Sequence, residues 1–118
     1  ALSGRMSDPD ALSALATLDL RVGTVADARA AEGTRKPAIR LWVDFGPAIG
    51  VKQSSAQITT HYTPERLIGR QVVAAVNLPP RRIGGFVSEV LVLGLPDAAG
   101  DVVLLRPDVP VPNGGRVH

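Results

Sequence analysis

Ala38–Phe45 reads AIRLWVDF, and its alternation decides the fold class. Ile39, Leu41, Val43 and Phe45 fall on one face, and Arg40, Trp42 and Asp44 on the other. That is the period-two pattern of a half-buried strand. The register expected from it keeps Trp42 out of the core. A slip of one residue would exchange the two faces.

Upstream, Leu18–Ala30 is also expected to be a strand, with Leu18, Leu20 and Val22 alternating with Asp19 and Arg21. Gly23 interrupts that alternation and predicts a bulge or a barrel bend. Ala31–Lys36 is a polar turn, and Pro37 forces the residue before it into extended geometry. Further back, Ser7 and Asp10 make a capping pattern with Pro9 in the first turn. Leu12, Leu15 and Ala16 follow at helical spacing, which predicts a short helix over Asp8–Ala16. A helix of that length must dock on something to persist. Ala1–Met6 shows no periodicity.

Downstream, Gly46, Pro47 and Gly50 mark a turn. Val51–Ile58 is extended but polar, and Thr63 and Pro64 open one helical turn that ends at Gly69. Gln71–Val76 reads as a buried strand. Asn77–Leu93, NLPPRRIGGFVSEVLVL, follows as a loop between two buried strands. Pro79 and Pro80 cannot donate to a ladder there, and Gly84 and Gly85 allow a turn and close approach of another molecule. A turn at Pro96–Gly100 and a last strand at Val102–Leu105 come next. Asp108–His118 is punctuated by Pro and is expected to run over the surface. Five or six short strands, with a helical turn between the third and fourth, predict an all-β, five-stranded oligonucleotide-binding (OB) barrel with short flanking helices. Residues 1–17 are then an N-terminal tail and helix, and 18–118 the barrel domain with its C-terminal extension.

Composition narrows the function classes. The 118 residues are 45% hydrophobic and contain four aromatics, Trp42, Phe45, Tyr62 and Phe86, so the core is aliphatic. Cys is absent, which excludes a disulfide framework, a thiolate nucleophile and a Cys zinc site. Net charge is +2, and Lys36 and Lys52 are the only lysines. No global nucleic-acid footprint follows from that balance. No apolar run reaches spanning length and the N-terminus has no signal-type apolar block, so a cytoplasmic protein without membrane insertion is expected. His61 and His118 lack metal-ligand spacing, Ser54 and Ser55 lack a nucleophile elbow, and no GK[ST] follows Gly84 and Gly85. No catalytic activity, metal or cofactor is expected.

Binding is the better-supported class. Polar donors concentrate in Lys52–Gln57 and in Asn77–Glu89, and Arg35, Lys36 and Arg40 would make a shared face locally basic. The candidate ligand-binding residues for peptide or tRNA are Lys36, Arg40, Lys52, Gln53, Ser54, Gln57, Asn77, Arg81, Arg82, Phe86, Ser88 and Glu89.

Five segments together carry a resemblance: LDLRVGTV at 18–25, KPAIRLWVDFG at 36–46, GVKQSSAQIT at 50–59, LIGRQV at 67–72 and NLPPRRIGGFVSEVLVLG at 77–94. They resemble the tRNA-binding-domain family, which includes the module appended to methionyl-tRNA synthetases, endothelial-monocyte-activating polypeptide and the free-standing, export-related CsaA-type chaperones. The resemblance implies an OB barrel, homodimeric in CsaA-type members. It implies binding of unfolded or presecretory polypeptide, alongside the secretion ATPase, or alternatively of structured tRNA. It also implies that Lys52, Gln53, Ser54, Gln57, Asn77, Arg81, Arg82, Ser88 and Glu89 lie near the ligand face. With Lys so scarce, any tRNA binding is expected to be weak and electrostatic.

Overall fold

The computed structural model describes residues 9–118. Ser7 and Asp8 of the expected helix start, and Ala1–Met6, lie outside the described residues. Elements follow in the order α1 (Pro9–Thr17), β1 (Leu20–Ala30), β2 (Ile39–Asp44), β3 (Val51–Ala56), α2 (Pro64–Leu67), β4 (Gln71–Ala75), β5 (Arg81–Ile83), β6 (Phe86–Ser88), β7 (Leu91–Val92), β8 (Gly94–Pro96) and β9 (Val102–Leu104). Five of these strands form one antiparallel sheet in the order β3-β2-β1-β4-β7, while β5-β6 and β8-β9 form separate hairpins. The sheet curls into a nearly closed OB-type barrel with α2 between its third and fourth strands, the architecture expected from the strand pattern.

The register of β2 follows the alternation. Ile39, Leu41 and Val43 are buried, Arg40, Trp42 and Asp44 are half-buried, and Phe45 completes the inner row. The core is aliphatic, with Val25, Leu67, Val72, Ala74, Val90 and Leu104 packed around that row. Of the two features expected at Gly23, a bulge or a barrel bend, the bulge falls further along β1. The register shift lies between Val25 and Asp27. Gly23 instead permits close approach of β2's end: a Cβ there would lie 2.6 Å from Val43 Cγ1 and 2.9 Å from the Asp44 carbonyl oxygen. A glycine in a strand marks either situation.

β1 starts at Leu20 and serves two neighbours in turn. Leu20–Thr24 pairs with β4, and Thr24–Ala30 pairs with β2. The edge that β2 leaves free at Leu20–Val22 is taken by the C-terminal segment. Val22 N–H donates to the Gly115 carbonyl, Gly114 N–H to the Val22 carbonyl, and Val117 N–H to the Leu20 carbonyl. Side chains pin the same segment: Gln71 exchanges hydrogen bonds with the Val111 backbone, and Thr24 Oγ1 donates to Asn113 Oδ1. The extension runs over the surface as expected, and it also repairs an open sheet edge.

A short side-chain hydrogen bond ties two further connections together. His61 Nε2 lies 2.6 Å from Asp97 Oδ2, joining the β3–α2 connection to the β8–β9 turn. The His61 bond, helped by the Asp101 N–H, holds the Asp97 carboxyl below its ordinary value.

Asn77 fixes α1 to the barrel. Its Nδ2 donates to the Thr17 carbonyl at 2.8 Å and its Oδ1 accepts from Asp19 N–H at 2.9 Å. Arg116 adds a bond to the Ala16 carbonyl. Asn77→Ala removes two hydrogen bonds that cross 58 and 60 residues of sequence, at a cost of about 1–2 kcal/mol. We expect a lower melting temperature together with faster hydrogen exchange at the Asp19 amide. An unchanged Asp19 exchange rate would contradict this role.

Candidate ligand-binding cleft

The sheet closes between β3 and the segment that follows β6, and side chains make most of that seam. Glu89 N–H donates to the Gln53 carbonyl at 2.8 Å, and Gln53 N–H donates back to Glu89 Oε1 at 3.1 Å. Gln53 Nε2 donates to the Val87 carbonyl at 2.7 Å, and Ser55 N–H donates to Ser88 Oγ at 3.1 Å. The Ser88 hydroxyl lies 3.3 Å from the Val90 carbonyl and 3.5 Å from Ser54 Oγ. Ser54 is buried, 2% exposed, and faces the interior from the polar strand. The buried side-chain polar atoms of the seam thereby find partners, as buried polar groups require. Gln53, Ser54, Ser88 and Glu89 hold the wall together, and Asn77 holds α1. All five are engaged within the chain.

The β5–β6 hairpin turns tightly at Gly84, whose φ of 63° lies in the left-handed region that favours glycine. The hairpin folds against the outer face of β2. Phe86 meets the Trp42 ring edge-on, with centroids 6.0 Å apart. Arg40 caps Phe86 at 4.8 Å and Arg29 caps Trp42 at 5.8 Å. Each ring therefore meets another ring and a guanidinium. Trp42 is outside the core, as its register predicts, and it lies under the hairpin. Arg82 lies on β5 and Lys52 on β3, and neither takes part in these ring contacts.

The hairpin leaves an open cleft between itself and the β1–β2 loop. Thr34, Arg35, Lys36, Ala38, Ser55, Gln57, Arg81 and Ile83 line a volume of about 420 Å³. Three of these side chains are cationic and none is acidic. A smaller recess of about 150 Å³ adjoins it through Ser55, Arg81 and Ile83, and reaches Leu78, Val90 and Leu91. Of the residues singled out in the sequence, Lys36, Gln57 and Arg81 meet at the cleft, with Ser88 and Glu89 behind it. Arg40, Lys52, Gln53, Ser54, Asn77, Arg82 and Phe86 do not line it. Arg35 and Ser55 belong to it as well. Arg35 belongs to the basic set it forms with Lys36 and Arg40, and Ser55 to the polar stretch Lys52–Gln57, but a strand's register is needed to separate Ser55 from Ser54.

A cationic mouth beside an apolar recess suits a ligand that carries both negative charge and apolar groups. Barrel and cleft together define an OB-type binding module. The profile of the putative tRNA binding domain family matches residues 20–116. The chain is 57% identical to the chaperone CsaA of Bacillus anthracis str. Ames, covering 91% of this chain and 96% of that one with a TM-score of 0.84. It is 40% identical to the CsaA chaperone protein of Picrophilus torridus, covering 91% and 97%, also at a TM-score of 0.84. It is 47% identical over 97 residues to the methionine–tRNA ligase of Methanothrix thermoacetophila. The match covers 82% of this chain but only 14% of the length of that ligase. The chain belongs to the tRNA-binding-domain family and, within it, is of the CsaA type.

Ser88→Ala leaves the Ser55 N–H without its acceptor in a half-buried seam, a loss of about 1–3 kcal/mol. We expect a reduced melting temperature, and Ser88→Thr, which keeps the hydroxyl, should restore most of it. Equal melting of Ser88→Ala and the parent would show that the seam does not need this bond.

Proposed function

We propose that this protein is a cytoplasmic, homodimeric chaperone that holds unfolded or presecretory polypeptide in the cleft between the β1–β2 loop and the β5–β6 hairpin. Handing such chains to the secretion ATPase is the step this reading implies. One observation carries the choice of peptide over single-stranded nucleic acid: the aromatic faces are already used. Trp42 and Phe86 meet edge to face under two guanidinium caps, and Tyr62 is buried with its hydroxyl accepting from Leu104 N–H. Stacking platforms need free aromatic faces, and an extended peptide needs only donors, acceptors and pockets. The cleft supplies Gln57, Ser55 and three cations for main-chain and acidic groups, and its recess supplies apolar contact. The resemblance to two chaperones over nearly their whole length supports the same reading.

The homodimer rests on apolar surface that this chain leaves uncovered. A groove of about 520 Å³ is lined mainly by Leu20, Val22, Val73, Leu93, Leu105, Val111 and Val117. A second hollow, lined by Leu12, Leu15 and Ala16 of α1, shares Arg116 and Val117 with it. Leu12 is 66% exposed and Val117 is 42% exposed. Contiguous apolar surface of this kind marks an interface, and a two-fold dimer is the commonest way to cover one.

Structured tRNA is the second reading, favoured by the family profile and by the cationic cleft. Its contacts would be to phosphates. Arg35, Lys36 and Arg81, with Arg82 on the same hairpin, supply three or four, which gives a log–log salt slope of about −2 to −4.

Purified protein titrated with a presecretory peptide and with bulk tRNA across a salt series tests both readings. We expect peptide binding that persists at high salt, loses affinity for acidic peptides in Arg81→Gln, and leaves the fold intact, since exposed loop charges stabilise little. tRNA binding that survives high salt, with no peptide binding, would overturn the proposal in favour of RNA. Sedimentation at micromolar concentration should give a dimer, and a monomer there would refute that part.

A further inference from the structure

A hollow that shares no residue with the cleft borders the apolar groove, with which it has Arg106 and Pro107 in common. It lies between the α2–β4 turn and the chain leaving β9, with a volume of about 470 Å³. Arg70 and Gln71 form one wall, and Arg106, Pro107, Asp108 and Val109 contribute the other. The walls are held in place. Gln71 binds the Val111 backbone through both ends of its amide. Leu105 N–H, just before Arg106, donates to the Leu93 carbonyl.

Arg70 is set on a fixed platform. Its guanidinium carbon lies 5.2 Å from the centroid of the Tyr62 ring, and Tyr62 is tied by its bond from Leu104 N–H. Arg70 Nε is buried and has no hydrogen-bond partner. Among the described residues, ion pairs join Arg21 and Arg116 to Asp19 and Arg29 to Asp27, His61 bonds Asp97, and none of these contacts involves Arg70 or Arg106. Asp108 lines the same hollow, yet pairs with neither. Arg106 is exposed and Arg70 half-buried, and the unpartnered Nε–H of Arg70 carries a desolvation cost. An anion arriving at the open side of its fork relieves that cost.

We propose that this hollow is a second anion-binding site, taking the phosphate group of a small phosphorylated molecule at Arg70 and Arg106. The oxygens of a phosphate can meet two guanidinium forks in different planes, whereas a carboxylate has two oxygens and suits a single fork. The volume exceeds what a bare anion needs and falls within the range of small-molecule sites. Pro107 and Val109 offer apolar contact to the body of such a ligand. Asp108 opposes the bound charge and sets the affinity below what two arginines alone would give.

The test is an amide chemical-shift titration of the full chain with inorganic phosphate, ribose 5-phosphate and acetate, at constant ionic strength. We expect both phosphates to shift the Arg70, Gln71 and Val109 amides, and acetate to act weakly. Tighter binding of the ester identifies an organic phosphate as ligand, and equal binding identifies free phosphate. Arg106→Gln should weaken binding about tenfold, the loss of one charge-assisted fork. Asp108→Asn should tighten it several-fold, and Arg81→Gln, in the other cleft, should change nothing. Arg70→Gln is read beside its melting curve, because that side chain also packs on Tyr62. Shifts confined to Arg35, Lys36 and Arg81, acetate binding as tight as phosphate, an unchanged affinity in Arg106→Gln, or no tightening in Asp108→Asn would each overturn the site.

Discussion

The structure depends on how the free edge of β3 is closed. A five-stranded curl ends in an unpaired edge at each side, and an open edge invites association with other chains. Here the partner segment is too irregular to form a regular ladder with β3. The Gln53 and Glu89 backbones make one direct bond, and the side chains of Gln53, Ser88 and Glu89 supply the rest. Unmade hydrogen bonds in such a seam cost more than made ones contribute. The polar residues of β3 and the Ser88–Glu89 pair are therefore constrained together.

That seam also builds the binding face. Because Glu89 is fixed to β3, the β5–β6 hairpin just before it must lie against the outside of β2 and β3. Phe86 then meets Trp42 edge to face. Arg81, on the outer strand of the same hairpin, is brought opposite Arg35 and Lys36 of the β1–β2 loop, and the gap between them is the cleft. Closure, the aromatic contact and the cationic mouth are three results of one set of hydrogen bonds. The apolar groove between β1, β4 and the C-terminal segment shares none of the cleft's residues.

Much of the fold was legible locally. The alternation around Trp42 set the register of β2, and Thr63-Pro64 with Gly69 bracketed α2. What stayed illegible involves contacts distant in sequence. Asn77 looks like a ligand-facing amide until Thr17 and Asp19 are seen beside it. Gln53, Ser88 and Glu89 have the same donors and acceptors whether they meet a ligand or each other. Gly23 and the bulge near Ala26 show a subtler limit. A strand glycine marks either a bulge or a close neighbour, while an alanine at a bulge leaves no signal. The C-terminal segment was placed on the surface by its prolines, but its pairing with β1 lies in backbone groups that carry no sequence identity.

Residue-resolved hydrogen exchange of the native protein tests the closure most directly. If side chains complete the barrel, the amides of Gln53, Ser55 and Glu89 should be protected to a degree comparable with Leu41 and Val43 in β2 and should open with them. Exchange at those three amides as fast as at the Gly84–Gly85 turn would mean that the barrel stands open at β3, contradicting the account.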